Sequence, residues 1–216
     1  MINLTRWRKI NRVPTNKLLK LKTLQYINNK NWYKNTHIAI KTLFPDDYKL
    51  FSSLLAVTSQ RNRIPINLNM AFKAFITIKE GNDPLNLDYG LCTPQIRGNI
   101  KRILEGNTPR GNKIKPFYGA LNGDYNQIVI DTWMIKLFIH SKRKTPNLTD
   151  IRHIQTIINN LSKELLLKPC QIQACLWCYA KTELNDTMFK ESYDYSFYLS
   201  KNHVSYSMRK IKNLEV

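Results

Sequence analysis

GNKIKPFYGALNGDYNQIVIDTW, residues 111–133, is the stretch on which the fold turns. It opens with Gly111-x-Lys113, runs 17 residues, and closes on Asp131-Thr132. The preceding GNTPRGN (106–112) has the Gly, Pro and Asn density of a loop. KIKPFYGALNG reads as a short buried segment. NQIVI has strand propensity, but it is brief and leads directly into DTWMIKLFI. An Asp at the head of such a run suits a helix N-cap, because its carboxylate accepts the first free backbone amides. Asp131 is therefore expected to cap a helix reaching about Ile139. This is a loop, a short buried segment and a helix.

Working outward, the same helical period recurs on both sides. Asp46 and Asp47 suit a helix start, with Leu50, Phe51, Leu54, Leu55 and Thr58 following at helical spacing. RNRIP breaks that helix, and INLNMAFKAFITIK (66–79) forms another, ended by Gly81-Asn82-Asp83-Pro84. Thr93-Pro94 starts a third, with Thr as cap and Pro at the first helical position, running through Ile96, Ile100, Ile103 and Leu104 to Gly106. Thr149 is expected to cap a longer helix with Ile151, Ile154, Ile158, Leu161 and Leu165 on one face. Pro169 opens the next, PCQIQACLWCYAK. TNKLLKLKTLQYI, near the N-terminus, reads as a short helix; the tail 187–212 is aromatic and basic without a clear period. The fold class expected is all-α, with helices joined by short loops and no internal repeat.

The charge narrows the function. Lys and Arg total 34 against 15 acids, a net charge of +19 in 216 residues, and the first 45 residues contain no acid at all. Such a field draws polyanions. No basic amphipathic stretch with a strong apolar face stands out, so nucleic acid is favoured over an anionic membrane. Asn is as frequent as Lys, which suggests an AT-rich genome; codon bias explains some of the lysines but not the shortage of acids. No apolar run approaches a membrane span of about 18 residues, and MINLTRWRKI lacks a signal-peptide core. Four cysteines at irregular spacing make no disulfide scaffold, pointing to an intracellular, reducing compartment.

Three stretches in order carry a resemblance. Gly111-x-Lys113, followed by an apolar run delivering Asp131, resembles the helix-hairpin-helix base-excision DNA glycosylases. LLAVTSQRNRIPINLNMAFKAF (54–75) resembles that family's early helix pair, in which Ser and Gln end one helix and an Asn begins the next. PCQIQACLWCYAK (169–181) resembles its late helix with a leading Pro, a Gln and a Trp. The likeness covers about residues 44–182. Three features depart from the pattern. TPRGNK keeps one hairpin glycine, Gly111, where the family usually has two; Trp133 stands where it usually has His; and Cys92, Cys170, Cys175 and Cys178 lack the spacing of the cluster-binding branch.

The resemblance implies a two-lobed helical glycosylase-like fold with a degenerate hairpin. Residues 46–130 would form one lobe, and 1–45 with 131–216 the other, with Lys113 and Asp131 facing each other across a cleft. It implies base flipping on double-stranded DNA by a monomer, with no cofactor and no metal. Asp131 would stabilise the positive charge that builds on the sugar as the base leaves. Lys113, with Lys115 as the fallback, would attack C1′ and allow strand cleavage through a Schiff base. Gln60 would fill the gap left by the flipped base, with Arg61 and Arg63 on flanking phosphates. Arg110, Gly111 and Lys115 would bind DNA at the hairpin. Plainer readings stand beside these. Asp131 caps its helix, Lys113 touches phosphate only, Gln60 is a polar helix end, and Trp177 packs a helix core. The alternatives at the level of function are a non-catalytic DNA-binding protein and an enzyme that modifies a flipped base without excising it. Cys170, Cys175 and Cys178 cannot close a four-ligand shell on a helix, and His37, His140, His153 and His203 make no motif.

Overall fold

The computed structural model describes residues 14–139, 146–184 and 193–200. Among them there is no strand; there are ten α-helices. These are α1 (Asn16–Gln25), α2 (Trp32–Leu43), α3 (Tyr48–Thr58), α4 (Ile64–Lys79), α5 (Thr93–Leu104), α6 (Ile114–Leu121), α7 (Thr132–Phe138), α8 (Leu148–Leu165), α9 (Pro169–Glu183) and α10 (Tyr195–Ser200). The all-α expectation holds, and the NQIVI segment forms no strand. None of the described helices is long and apolar enough to cross a membrane. His140, His203, most of the basic loop after Ile139 and the tail beyond Ser200 lie outside the described residues.

The chain divides into two compact units. Of the described residues, 14–33, 125–139 and 146–184 form one; 34–124 and 193–200 form the other. The sequence reading places its boundaries at 45/46 and 130/131; the units change at 33/34, 124/125 and 192/193. The reasons are local. Ile128 and Ile130 are buried in the same apolar cluster as Met134 and Phe138, so the approach to Asp131 packs with the helix it leads into. At the other end, Tyr195 bonds to Asn67 and Asn35 to Asp194, which ties α10 to the second unit.

In the first unit α9 packs against α1, α7 and α8. Its core is aliphatic, built from Leu19, Ile135, Phe138, Ile158, Ile172 and Leu176 among others. The cap of α8 is Asn147, two residues before the expected Thr149. Asn147 accepts from the Asp150 amide at 2.8 Å, and the Asp150 carboxylate accepts from the Asn147 amide at 3.0 Å. This reciprocal capping box satisfies two orphan donors at once, which a lone Thr cannot do.

The second unit is organised around α3, which packs against α4, α5 and α6. Every residue from Phe51 to Thr58 is buried, so this helix is enclosed rather than amphipathic. Phe44, Phe51, Phe72 and Phe75 cluster about it, with Phe44 stacked on Phe51 at 4.4 Å. Two expected caps differ. Asp47 precedes α3 but makes no cap bond; its carboxylate takes the Lys79 ammonium at 2.8 Å instead. Thr93 lies inside α5, its hydroxyl donating to the Gly90 carbonyl, and Cys92 occupies the cap position.

Candidate functional site

Asp131 is positioned by the buried apolar run before it. Ile128, Val129 and Ile130 are all buried, which anchors the backbone and presents Asp131 in extended conformation (φ −108°, ψ −174°) at the head of α7. One carboxylate oxygen, Oδ1, accepts from the amides of Trp133 at 2.9 Å and Met134 at 3.1 Å. The expected cap is therefore formed. The other oxygen, Oδ2, accepts from the indole Nε1–H of Trp177 at 2.8 Å. The side chain is half-buried and makes no ion pair among the described residues.

The surroundings of this carboxylate are aromatic. The edge of Trp32 meets Trp177 at 5.8 Å between ring centroids. Lysines lie over ring faces: Lys181 over Trp177 at 4.6 Å and Lys136 over Trp133 at 4.1 Å. One turn before Trp177 on α9, Gln173 is fully buried and accepts from the Tyr33 hydroxyl at 2.6 Å. Trp177 is the residue that sequence reasoning assigns to core packing alone. Its bond to Asp131 spans 46 positions, and no local spacing signals it.

The remaining predicted residues belong to the second unit, where two loops come together. The α3–α4 turn carries Ser59, Gln60, Arg61 and Arg63. The Asn62 amide donates to the Thr58 carbonyl at 2.8 Å and closes the end of α3. Arg61 has a left-handed backbone, φ +58°, which a side chain other than Gly or Asn rarely takes. Helix α4 starts at Ile64, inside the stretch expected to break the chain, so Asn67 is its fourth residue rather than its first; it is fully buried, and its side chain lies 2.6 Å from both the Thr58 hydroxyl and the Tyr195 hydroxyl. It is a structural link rather than an exposed reader.

The second loop is the hairpin turn. Gly111 has φ +133°, a value open essentially to glycine alone, and a Cβ there would lie 3.3 Å from Ile114 Cδ1. That explains why this one hairpin glycine is present. The Arg110 amide is taken by Asn99 Oδ1 at 2.6 Å. Lys113 occupies the N-cap position of α6, and its side chain, making no cap bond, sends Nζ to the Ser59 carbonyl at 2.8 Å, 5.8 Å from the centre of the Phe117 ring. Lys113 thus joins the hairpin to the Gln60 turn. Arg61, Arg63, Arg110 and Lys115 are exposed, and Gln60 is half-buried with its amide turned back towards the Val57 carbonyl at 3.5 Å.

Cys170, Cys175 and Cys178 are buried in the first unit, and burial pushes the Cys175 thiol up to about 12. His37 is fixed through Nδ1 to the Leu121 carbonyl at 2.8 Å, and His153 is exposed. Among the described residues no three His, Cys, Asp or Glu side chains are grouped to hold a metal ion. No protein-family model, no curated protein and no solved structure matches this chain.

Proposed function

We propose that this protein is a DNA glycosylase, removing a damaged or modified base from double-stranded DNA, with an associated strand-cleaving lyase activity. The observation that carries the reading is the Asp131 carboxylate, fixed by neutral donors on both oxygens in a chain with a net charge of +19. As the base departs, the sugar acquires oxocarbenium-like positive charge. A carboxylate already held in place stabilises that charge without reorganising.

Lys113 supplies the covalent half of the scheme. Its ammonium leaves the Ser59 carbonyl, gives up the proton that the departing base takes, and attacks C1′ through the freed lone pair. The bond from C1′ to the base breaks, and the base departs with the bonding electrons and takes up a proton. Opening of the sugar gives an imine between Lys113 and C1′, and loss of a C2′ proton then breaks the C3′–O bond. Hydrolysis returns the lysine. Arg61, Arg63, Arg110 and Lys115, all exposed, are assigned to phosphates.

A panel of duplexes, each bearing one lesion or one modified base, tests the reading through free base and strand breaks. Release of base from at least one duplex, lost in Asp131→Asn, is expected. A specific observation favours a second reading, a DNA-binding protein without chemistry: the Arg110 amide and the Lys113 ammonium are both satisfied within the protein. Tight duplex binding with no free base, no break and no altered base across the panel would select it. An altered but unexcised base would instead identify an enzyme that modifies a flipped base.

A further inference from the structure

We infer that Trp177 is a positioning residue for Asp131, holding its outer carboxylate oxygen by a neutral donor so that the negative charge stays uncompensated; this rests on the glycosylase reading above. The starting point is an oddity of charge. The chain has 34 basic side chains, and two of them, Lys136 and Lys181, lie over the faces of Trp133 and Trp177. Neither pairs with Asp131. Among the described residues the donors on this carboxylate are two backbone amides and one indole, and none of these carries a formal charge.

The geometry explains why the third donor matters. The two amides both bind Oδ1 and leave Oδ2 able to swing as the carboxylate rotates. The Trp177 indole, a rigid ring 2.8 Å from Oδ2, removes that freedom. The ring is itself held: the Trp32 edge packs on it, and a lysine lies over its face. An ammonium at the same place would also fix Oδ2, but it would cancel the charge that a developing sugar cation needs. An indole N–H lends a dipole and no charge. It donates and never accepts, so it can face the carboxylate only as a donor.

Two measurements on the full chain test this. The first needs no substrate. The indole resonance of Trp177 is identified in a proton–nitrogen spectrum by its loss in Trp177→Phe. It should move clearly in Asp131→Asn, where a neutral amide replaces the carboxylate that the indole faces; an unchanged resonance would overturn the inference. The second uses the duplex from which wild type excises a base. Trp177→Phe keeps an aromatic ring but deletes the donor. It should lower the single-turnover rate by roughly 10- to 100-fold, the range for a hydrogen bond to a charged group, with the half-saturating duplex concentration unchanged. A thermal melt close to wild type shows that the variant is folded. A rate equal to wild type would overturn the inference and leave the glycosylase reading standing. A parallel loss of melting temperature and binding, with the rate retained, would reduce Trp177 to packing and overturn it too. A wild type that excises nothing removes the reading, and this inference with it.

Discussion

Lys113 Nζ donates to the carbonyl oxygen of Ser59 at 2.8 Å, across 54 positions of sequence. The bond fastens the hairpin loop to the last turn of α3, where unsatisfied carbonyls and the negative end of the helix dipole favour a cation. It also sets Lys113 at the root of the turn that carries Gln60 and Arg61. A nucleophilic lysine has to give up this carbonyl before its lone pair can reach a sugar, so DNA binding and release of the tie are coupled in the proposed scheme.

Borohydride trapping measures that step. A lysine that only bridges loops forms no covalent bond to DNA, whereas an imine is reduced to a stable amine. Incubation with the excised substrate or an abasic-site duplex should trap a protein–DNA adduct. Lys113→Gln should abolish it, and Lys115→Gln, at an exposed position, should largely keep it. Dependence on Lys115 alone would transfer the nucleophile by two residues. Excision without any adduct would make the enzyme monofunctional, with Asp131 activating water.

Capping and chemistry at Asp131 are separable by a pair of variants. Asn is as good an N-cap as Asp, so Asp131→Asn should keep α7; its single oxygen serves the cap amides and gives up the Trp177 bond, at a cost of about 1 kcal/mol. Asp131→Ala loses both cap bonds and the Trp177 bond and should cost more, about 2–3 kcal/mol. Excision should fall in both by at least roughly 100-fold, the scale for removing one electrostatic stabiliser of a transition state. If only the Ala variant loses activity, in step with its stability, Asp131 is a cap and nothing more.

Much of the fold was legible because helical period and stop signals are local. Pro169, the Gly81–Pro84 break and the apolar run before Asp131 all mark real boundaries. Caps were less legible, since several side chains near a helix start can do the same work. Asn147 with Asp150 supplies the cap expected of Thr149, and distant Lys79 engages Asp47. The site shows the same limit more sharply. Asp131 at its cap could be read from its neighbours, but its bond to Trp177 and the bond of Lys113 to Ser59 depend on tertiary packing. The exposed arginines were legible as charge, and the left-handed backbone of Arg61 was not.

The buried thiols and phenols make a prediction about alkali. Burial, and secondarily the neighbouring Cys178, raises the Cys175 thiol from 9.0 to about 12. Burial is also the main cause for the phenols of Tyr26 and Tyr89, raised from 10.0 to about 12. Each group ionises earlier in the unfolded chain than in the folded one, so the unfolded state binds fewer protons and stability falls as pH rises. Loss should set in above about pH 9 and continue towards 12. Denaturant melts at pH 7, 9 and 10.5 check this; a flat profile would contradict it. At pH 8 the three cysteines of α9 should resist alkylation until the protein is unfolded.

Arg61 offers a test in which stability and binding move in opposite directions. Its φ of +58° costs a residue with a Cβ about 1–2 kcal/mol, and glycine escapes most of that cost. The turn therefore keeps an exposed arginine where a glycine would be more comfortable, as expected if the side chain is wanted for DNA. Arg61→Gly and Arg61→Ala remove the same guanidinium but leave different backbones. Both should weaken duplex binding by a similar factor and flatten the slope of log K against log salt by about 0.9, one phosphate contact. Their stabilities should part: Ala keeps the strained backbone, while Gly relieves it, less the entropy a glycine returns to the unfolded chain, about 0.4–1 kcal/mol. The Gly variant should thus melt at or above wild type, and above the Ala variant. Equal melting of the two would mean the turn relaxes without the arginine. Unchanged affinity and salt slope in both would remove Arg61 from the DNA surface, and the strain at this position would then need a structural cause.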